Sequence, residues 1–190
     1  MIKIIENFIP EQFQNEIENI LCGNNFPWYY NNETTNPSDY GAYIDLKTRD
    51  TPHFVHGYYG NNNVVSDYFS LVKPLLYFMP NHGFTPIEIY RCKSNLTLPS
   101  NKPLDSYVVP HVDILDTNYK TLLYYVNDSD GDTIFFKETP NEFNGTLTIN
   151  KSSSPKRGTA VIFDSNIIHS KRSPVKSNQR VIINFIVKIL

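Results

Sequence analysis

The 190-residue chain contains only two cysteines, Cys22 and Cys92, and neither sits in a Cys-x-x-Cys pattern. At most one disulfide can form, and a zinc site built from cysteines is excluded. Two neutral buried thiols in a reducing cytosol are the expectation. Long hydrophobic runs are also missing. No segment approaches the roughly 18 apolar residues of a membrane span, and the N-terminus MIKIIENFIPEQFQNE has neither an apolar signal core nor a cleavage-like site. A soluble, cytoplasmic chain with no membrane partner is therefore expected. In that setting Asn-x-Ser/Thr triplets such as Asn95-Leu96-Thr97 carry no glycosylation meaning. Positive charge is not in excess either: 17 Lys and Arg face 19 Asp and Glu, for a formal net charge of −2. A protein that coats DNA or RNA carries a basic stripe, so no nucleic-acid partner is expected. No internal repeat and no low-complexity linker divides the chain, which reads as one domain over residues 1–190.

What is present is a foldable apolar fraction, 40% of residues with 14% aromatic. MIKIIENFI reads as a short strand and PEQFQNEIENIL as a helix. Pro10 suits the first turn of that helix, and Phe13, Ile17, Ile20 and Leu21 form one apolar stripe. A second helix is expected in NNVVSDYFSLVKPLLYFM, where Val65, Phe69 and Val72 share a face and Pro74 interrupts. Between them lies an irregular tract, NNFPWYYNNETTNPSDYG. From about residue 86 the chain breaks into short β-rich runs: PIEIYRCKSNLTL, SYVVPHVDIL, KTLLYYVN, DTIFFKET, GTLTIN, GTAVIFDS, IIHSKR and RVIINFIVKIL. Turn formers separate them, and Asp130-Gly131 predicts a tight hairpin. The fold class is α+β: residues 1–85 give helical and irregular support, and residues 86–190 form an antiparallel jelly-roll, or double-stranded β-helix, core.

Within SYVVPHVDIL, His111 and Asp113 are two residues apart, so on a strand they share a face. Burying both without a partner costs several kcal/mol, and a metal ion would compensate them. His169 is the only other histidine of the β-rich half. Two histidines and one carboxylate make the facial triad of non-haem iron(II), with positions left open for other ligands. Arg180 opens the apolar strand RVIINFIV and offers a planar fork to a carboxylate. Thr121, Leu123 and Tyr125 share a strand face, and Thr133 after the hairpin can join them; hydroxyls beside an arginine would complete a carboxylate pocket.

The order HVD, TLLYYVN, DGDT, GTAVIF, His169, Arg180 resembles the Fe(II)/2-oxoglutarate-dependent dioxygenases, and most closely their prolyl-4-hydroxylase-like branch with its small phage-encoded members. The resemblance covers about residues 86–188. It implies His111, Asp113 and His169 as ligands of Fe(II), and Arg180 as the partner of the 2-oxoglutarate carboxylate. It also places Tyr125, Thr133 and the upstream-strand Tyr90 on that cosubstrate. Asp132 stands where the family's hairpin has a second glycine. The implied reaction consumes O2 and 2-oxoglutarate and hydroxylates a C–H bond. A carboxylate at position 113 favours hydroxylation over halogenation, because related halogenases lack it. The implied substrate is a prolyl or other residue of a peptide or protein. The alternatives are a free small metabolite on the same site, or a catalytically silent jelly-roll binding module. Nucleic-acid demethylases carry a second arginine six residues after the cosubstrate arginine, where this chain has Ile186. The aromatic stretches Phe26 to Tyr30 and TPHFVHGYYG either line the pocket mouth or pack elsewhere. His53 and His56 read as surface residues rather than a second metal site. DSDGDT lacks the glycine position and flanking helices of a calcium loop.

Overall fold

A computed structural model describes residues 1–34, 42–101, 103 and 105–190. In chain order the elements are β1 (Ile2–Ile5), α1 (Glu11–Leu21), β2 (Tyr29–Asn31), β3 (His53–Gly60), β4 (Asn63–Val64) and α2 (Phe69–Val72). A 3-10 helix (Lys73–His82) and β5 (Pro86–Thr97) follow. The remainder is β6 (Tyr119–Tyr125), β7 (Thr133–Phe136), β8 (Ile149–Ser153), β9 (Ala160–Asp164), β10 (His169–Lys171) and β11 (Arg180–Ile189). Two antiparallel sheets result. The larger runs β1-β9-β6-β11-β5-β3-β2, with β4 paired to β3, and the smaller runs β10-β7-β8.

The most apolar strands are buried on both faces, and their alternation sorts side chains between two cores. Leu122 and Tyr124 of β6, Ala160 and Ile162 of β9, and Val181, Ile183, Phe185 and Val187 of β11 pack with Ile17 and Leu21 of α1 and with Val72, Leu75 and Met79. Leu123, Tyr125, Val161, Phe163 and Ile182 point the other way, toward Phe135 of the smaller sheet. Phe135 and Phe163 meet edge-on with ring centroids 5.0 Å apart. Two sheets closing on a shared interior make the expected jelly-roll, and one end of that interior stays open as a cavity.

The predicted helix α1 forms as read, with Ile17 and Leu21 fully buried. Gly158, at φ +77°, comes so close to α1 that an added Cβ would lie 2.2 Å from Gln14 Oε1. Three expectations are corrected. The helix expected over residues 62–79 begins only at Phe69, and Val65 is exposed. Asn61 and Asn62 both take positive φ (51° and 59°) and turn the chain from β3 into β4 as a two-residue hairpin. The Asp130-Gly131 stretch is no hairpin, because β6 pairs with β9 and β11 while β7 pairs with β8 and β10. It crosses between the sheets, and the Asp130 carboxylate accepts backbone N–H bonds from Val175, Lys176 and Ser177. Finally, β2 and β3 extend the larger sheet, so the first 85 residues supply strands as well as helices. The tract expected to be irregular contains β2, and its residues 35–41 lie outside the described ones. Cys22 and Cys92 are free thiols, and burial pushes Cys22 up to about 11. Among the described residues no helix is long and apolar enough to cross a membrane.

Candidate metal centre

The segment that carries His111 and Asp113 is not a regular strand. Pro110 has no N–H to give a ladder, and pairing around His111 shrinks to isolated antiparallel bridges, one to Ala42 and one to His169. The bridge to His169 is complete: each residue's N–H donates to the other's carbonyl at 2.9 Å. It sets the two imidazoles side by side, with ring centroids 4.6 Å apart. Asp113 is held from the turn after β9, where its N–H donates to the Ser165 carbonyl at 2.9 Å.

One ligand atom from each of His111, Asp113 and His169 lies within 4.8 Å of the others. His169 Nε2 is 3.7 Å from Asp113 Oδ2. The outer nitrogens are occupied: His111 Nδ1 lies 3.1 Å from the Val109 carbonyl and His169 Nδ1 2.9 Å from the Ile167 carbonyl. A nitrogen beside a carbonyl carries the proton, which leaves both Nε2 lone pairs turned toward the carboxylate. Asp113 is oriented in turn. Thr121 Oγ1 donates to Oδ2 at 2.6 Å, and Arg91 Nη2 donates to Oδ1 at 3.3 Å. Burial opposes ionisation of Asp113, but the two imidazoles, Arg91 and the Thr121 bond outweigh it and hold the carboxyl at about 2. Burial and the adjacent His169 push His111 down to about 3. Near neutral pH His111 is therefore a neutral imidazole and Asp113 a carboxylate, the protonation states a metal needs from them.

The trio lies on the wall of a cavity of about 540 Å³. Arg180 and Thr133 line the same cavity. Arg180 is almost wholly buried, with 1% exposed. Its Nε donates to the Gly131 carbonyl and its Nη2 to Thr133 Oγ1, both at 2.7 Å, while Nη1 is buried with no partner among the described residues. A buried guanidinium nitrogen left unpaired marks a place for an anion. Tyr125 sits behind this group and not on the cavity wall. Its hydroxyl is 2.8 Å from Thr133 Oγ1 and 3.0 Å from the Ser153 carbonyl, and its ring lies 5.8 Å from Arg180 Cζ. Lys171, two residues after His169, is a buried amine on the wall that donates to Thr97 Oγ1 at 2.8 Å, and burial, then Arg180 and Lys93, hold it well below the ordinary lysine range.

Tyr90, which the resemblance places on the cosubstrate, stands apart from this group. It is 50% exposed, packs on Tyr119 with centroids 5.8 Å apart, and is not on the cavity wall. A register shift in the β5–β11 ladder falls at this position, and the neighbouring Arg91 faces inward, followed by Lys93 and Asn95. Phe26 is core, and Tyr29 and Tyr30 face outward; it is Asn31, Glu33 and Thr34, just beyond them, that reach the cavity. His53 and His56 are buried rather than on the surface. His56 bridges the Pro27 carbonyl and Ser66 Oγ at 2.7 and 2.8 Å. The pattern in the sequence singles out neither Lys171 nor the Arg91, Lys93, Asn95 row. The row was nevertheless visible as alternation in RCKSN, where large polar residues interleave with Cys92 and Ser94.

Two buried histidines make the fold sensitive to acid. Burial, then the nearby Lys171, Lys93 and His111, push His53 down to about 3, as happens at His111. An unfolded histidine titrates near 6.5. Between about pH 6.5 and about pH 3 the unfolded chain therefore binds more protons, and stability falls as pH is lowered through that window. Thermal melts of metal-free protein should show a lower midpoint near pH 5 than near pH 7.5, and His53→Gln should remove part of the difference. Equal midpoints at both pH values would show that these imidazoles are not held neutral.

A scan against family models finds no match, and a search of curated protein sequences finds none either. Solved structures are similar over nearly the whole chain. An oxidoreductase of the 2OG-Fe(II) oxygenase family from Burkholderia pseudomallei has a TM-score of 0.67 at 11% identity, covering 98% of this chain and 84% of that one. The non-heme alpha-ketoglutarate-dependent epimerase SnoN from nogalamycin biosynthesis has a TM-score of 0.60 at 10% identity, over 98% and 78%. The viral collagen prolyl hydroxylase of Paramecium bursaria Chlorella virus-1 has a TM-score of 0.53 at 14% identity, over 100% and 96%. The chain thus has the double-stranded β-helix fold that these iron- and 2-oxoglutarate-dependent proteins share. A two-histidine, one-carboxylate trio stands in its cavity.

Proposed function

We propose that the protein is an Fe(II)/2-oxoglutarate-dependent oxygenase that hydroxylates a C–H bond. One observation carries the reading: His111, Asp113 and His169 converge, with both Nε2 atoms free, in the same cavity where buried Arg180 presents an unpaired Nη1. The donor set fits a divalent iron, since two imidazoles and one carboxylate leave open positions on the metal. Arg180 and Thr133 would hold the far carboxylate of 2-oxoglutarate, with Lys171 beside them. Tyr125 keeps Thr133 and the guanidinium in place from behind. When bound, iron and 2-oxoglutarate supply the oxidising chemistry, consuming O2 and releasing succinate and CO2. The chain's own contribution is orientation and exclusion of water. Leu123 and Ile182 give the cavity an apolar floor next to its charged groups.

The substrate we propose is a residue of a peptide, prolyl or other, with a free metabolite as the alternative. The similarity to a collagen prolyl hydroxylase supports the first at the level of fold, and that to an epimerase of a biosynthetic route supports the second. The test is succinate release with Fe(II) and 2-oxoglutarate, together with calorimetric binding of each to the protein. Absence of both binding and turnover would remove the oxygenase reading.

Gly131 provides a sharper check on the cosubstrate end. A Cβ there would lie 2.7 Å from the Arg172 carbonyl oxygen, 3.0 Å from Arg180 Cδ and 3.0 Å from Pro174 N. Gly131→Ala must displace backbone or the arginine, and Arg180 Nε would lose the alignment of its bond to the Gly131 carbonyl. The variant should bind 2-oxoglutarate about tenfold more weakly, the equivalent of about one charge-assisted hydrogen bond. Unchanged affinity would place the cosubstrate away from Arg180.

A further inference from the structure

The cavity carries more positive charge than the proposed metal and cosubstrate use. Among the described residues Arg91, Lys93 and Arg180 line it against two carboxylates, Glu33 and Asp113, while burial, then Arg180 and Lys93, hold the Lys171 amine well below the ordinary lysine range. A divalent metal and doubly charged 2-oxoglutarate cancel one another, so the excess of positive charge persists in the loaded site. Part of it lies on one strand. Arg91, Lys93 and Asn95 of β5 face the cavity, while Cys92 between them is buried in the opposite core. The Lys93 side chain makes no hydrogen bond or ion pair among the described residues. Arg91 Nε is buried without a partner, although its Nη2 touches Asp113. Asn95 Oδ1 and, opposite Lys93 on β11, Asn184 Oδ1 are also buried and unpaired. Polar groups are seldom left in this state unless something else pairs with them.

Register separates this group from the cosubstrate end. Arg180 pairs with Thr97, and Asn184 with Lys93, four residues farther along the same ladder. That offset is about 13 Å at about 3.3 Å per residue. The four C–C bonds of 2-oxoglutarate span at most about 6 Å at about 1.5 Å each. A cosubstrate whose far carboxylate pairs with Arg180 does not bring that carboxylate to Lys93, which lies toward the metal end beside Arg91 and Asp113. We propose that Lys93, with Arg91 and Asn95, is a recognition subsite for an anionic group, a carboxylate or phosphate, on the substrate that is oxidised at the metal. This rests on the oxygenase reading above and narrows it: a neutral prolyl peptide does not use the subsite, whereas an acidic peptide or an anionic small molecule does.

The test uses protein loaded with Mn(II) in place of iron and saturated with 2-oxoglutarate, so that no turnover intervenes. Nuclear relaxation by the bound Mn(II) reports small probes that come close to it: acetate and its neutral isostere acetamide through their methyl protons, and inorganic phosphate through phosphorus. Saturable relaxation of acetate and phosphate, but not of acetamide, is expected. Lys93→Gln should weaken both anions at least about tenfold, while Lys93→Arg retains most of the affinity. Calorimetry on the same Mn(II)-loaded proteins before 2-oxoglutarate is added should show its binding changed by less than about twofold. Equal anion relaxation in wild type and Lys93→Gln would mean that the metal alone holds the anions, and would overturn the proposal. So would a loss of 2-oxoglutarate affinity in Lys93→Gln as large as in Arg180→Gln, because Lys93 would then belong to the cosubstrate. Failure of the wild type to bind 2-oxoglutarate would instead bring down the oxygenase reading itself. With Fe(II), succinate release should rise more with acidic peptides or with free carboxylates and phosphate esters than with their neutral amides and alcohols. The better of those two groups identifies the carrier of the anion, and equal stimulation by the neutral forms would again overturn the proposal.

Discussion

Asp113→Ala should abolish metal-dependent succinate release and weaken divalent metal binding by more than about 100-fold. The bound rests on a comparison: removing groups that merely orient a ligand costs about 10–100-fold in metal affinity or activity. Asp113 would be a ligand itself, and the sole anion of the trio. Its place in the network makes the prediction specific. The carboxylate receives Thr121 at 2.6 Å and Arg91 at 3.3 Å, so two donors keep an oxygen turned toward the histidines. Thr121→Val should therefore act in the same direction but more weakly, since it removes one orienting bond and no ligand. Calorimetry with Mn(II) and a succinate assay measure both variants. Retained activity in Asp113→Ala would remove that residue from the metal site.

Replacing Arg180 has the second largest effect. Arg180→Gln should raise the apparent KM for 2-oxoglutarate by about two orders of magnitude, with a smaller change in kcat. Two lost bonds to a charged group, at about 1.5 kcal/mol or more each, correspond to about a hundredfold. Arg180→Lys should not restore the affinity. An ammonium cannot reproduce a fork whose Nε is committed to Gly131 and whose Nη2 is committed to Thr133 while Nη1 stays free. Both variants need a melting check, because Arg180 also ties β11 to the segment between β6 and β7. If KM is unchanged in a folded variant, Lys171 becomes the better candidate for the cosubstrate carboxylate.

Much of this site was legible in the amino-acid order. The spacing of His111 and Asp113, the lone downstream His169, and Arg180 opening an apolar strand are local facts. His111 and Asp113 stay together although their segment is a bridge and a bend rather than a regular strand, while His169 and Arg180 open β10 and β11, where strand alternation decides which way a side chain points. The same rule made β6, β9 and β11 readable, since their inward and outward residues separate cleanly into two cores. Tyr90 obeys that rule as well: Arg91, Lys93 and Asn95 face the cavity, so Tyr90, in alternation with them, faces away from it. The supposed hairpin at Asp130-Gly131 fell outside it. A turn signal says that the chain reverses, but whether the next strand joins the same sheet depends on partners about 30 residues or more away, here β9 and β10.

Sequence by itself determined the chemical inventory of the protein: two imidazoles, a carboxylate and a guanidinium on strands able to bury them. Only the tertiary structure decided that the His111–His169 bridge brings the imidazoles together, that Nη1 of Arg180 is left without a partner, and that Arg91, Lys93 and Lys171 share their cavity. The physical reason is that side-chain direction is a property of a few adjacent residues. Convergence depends on sheet register between segments far apart in the chain, and no local pattern encodes it.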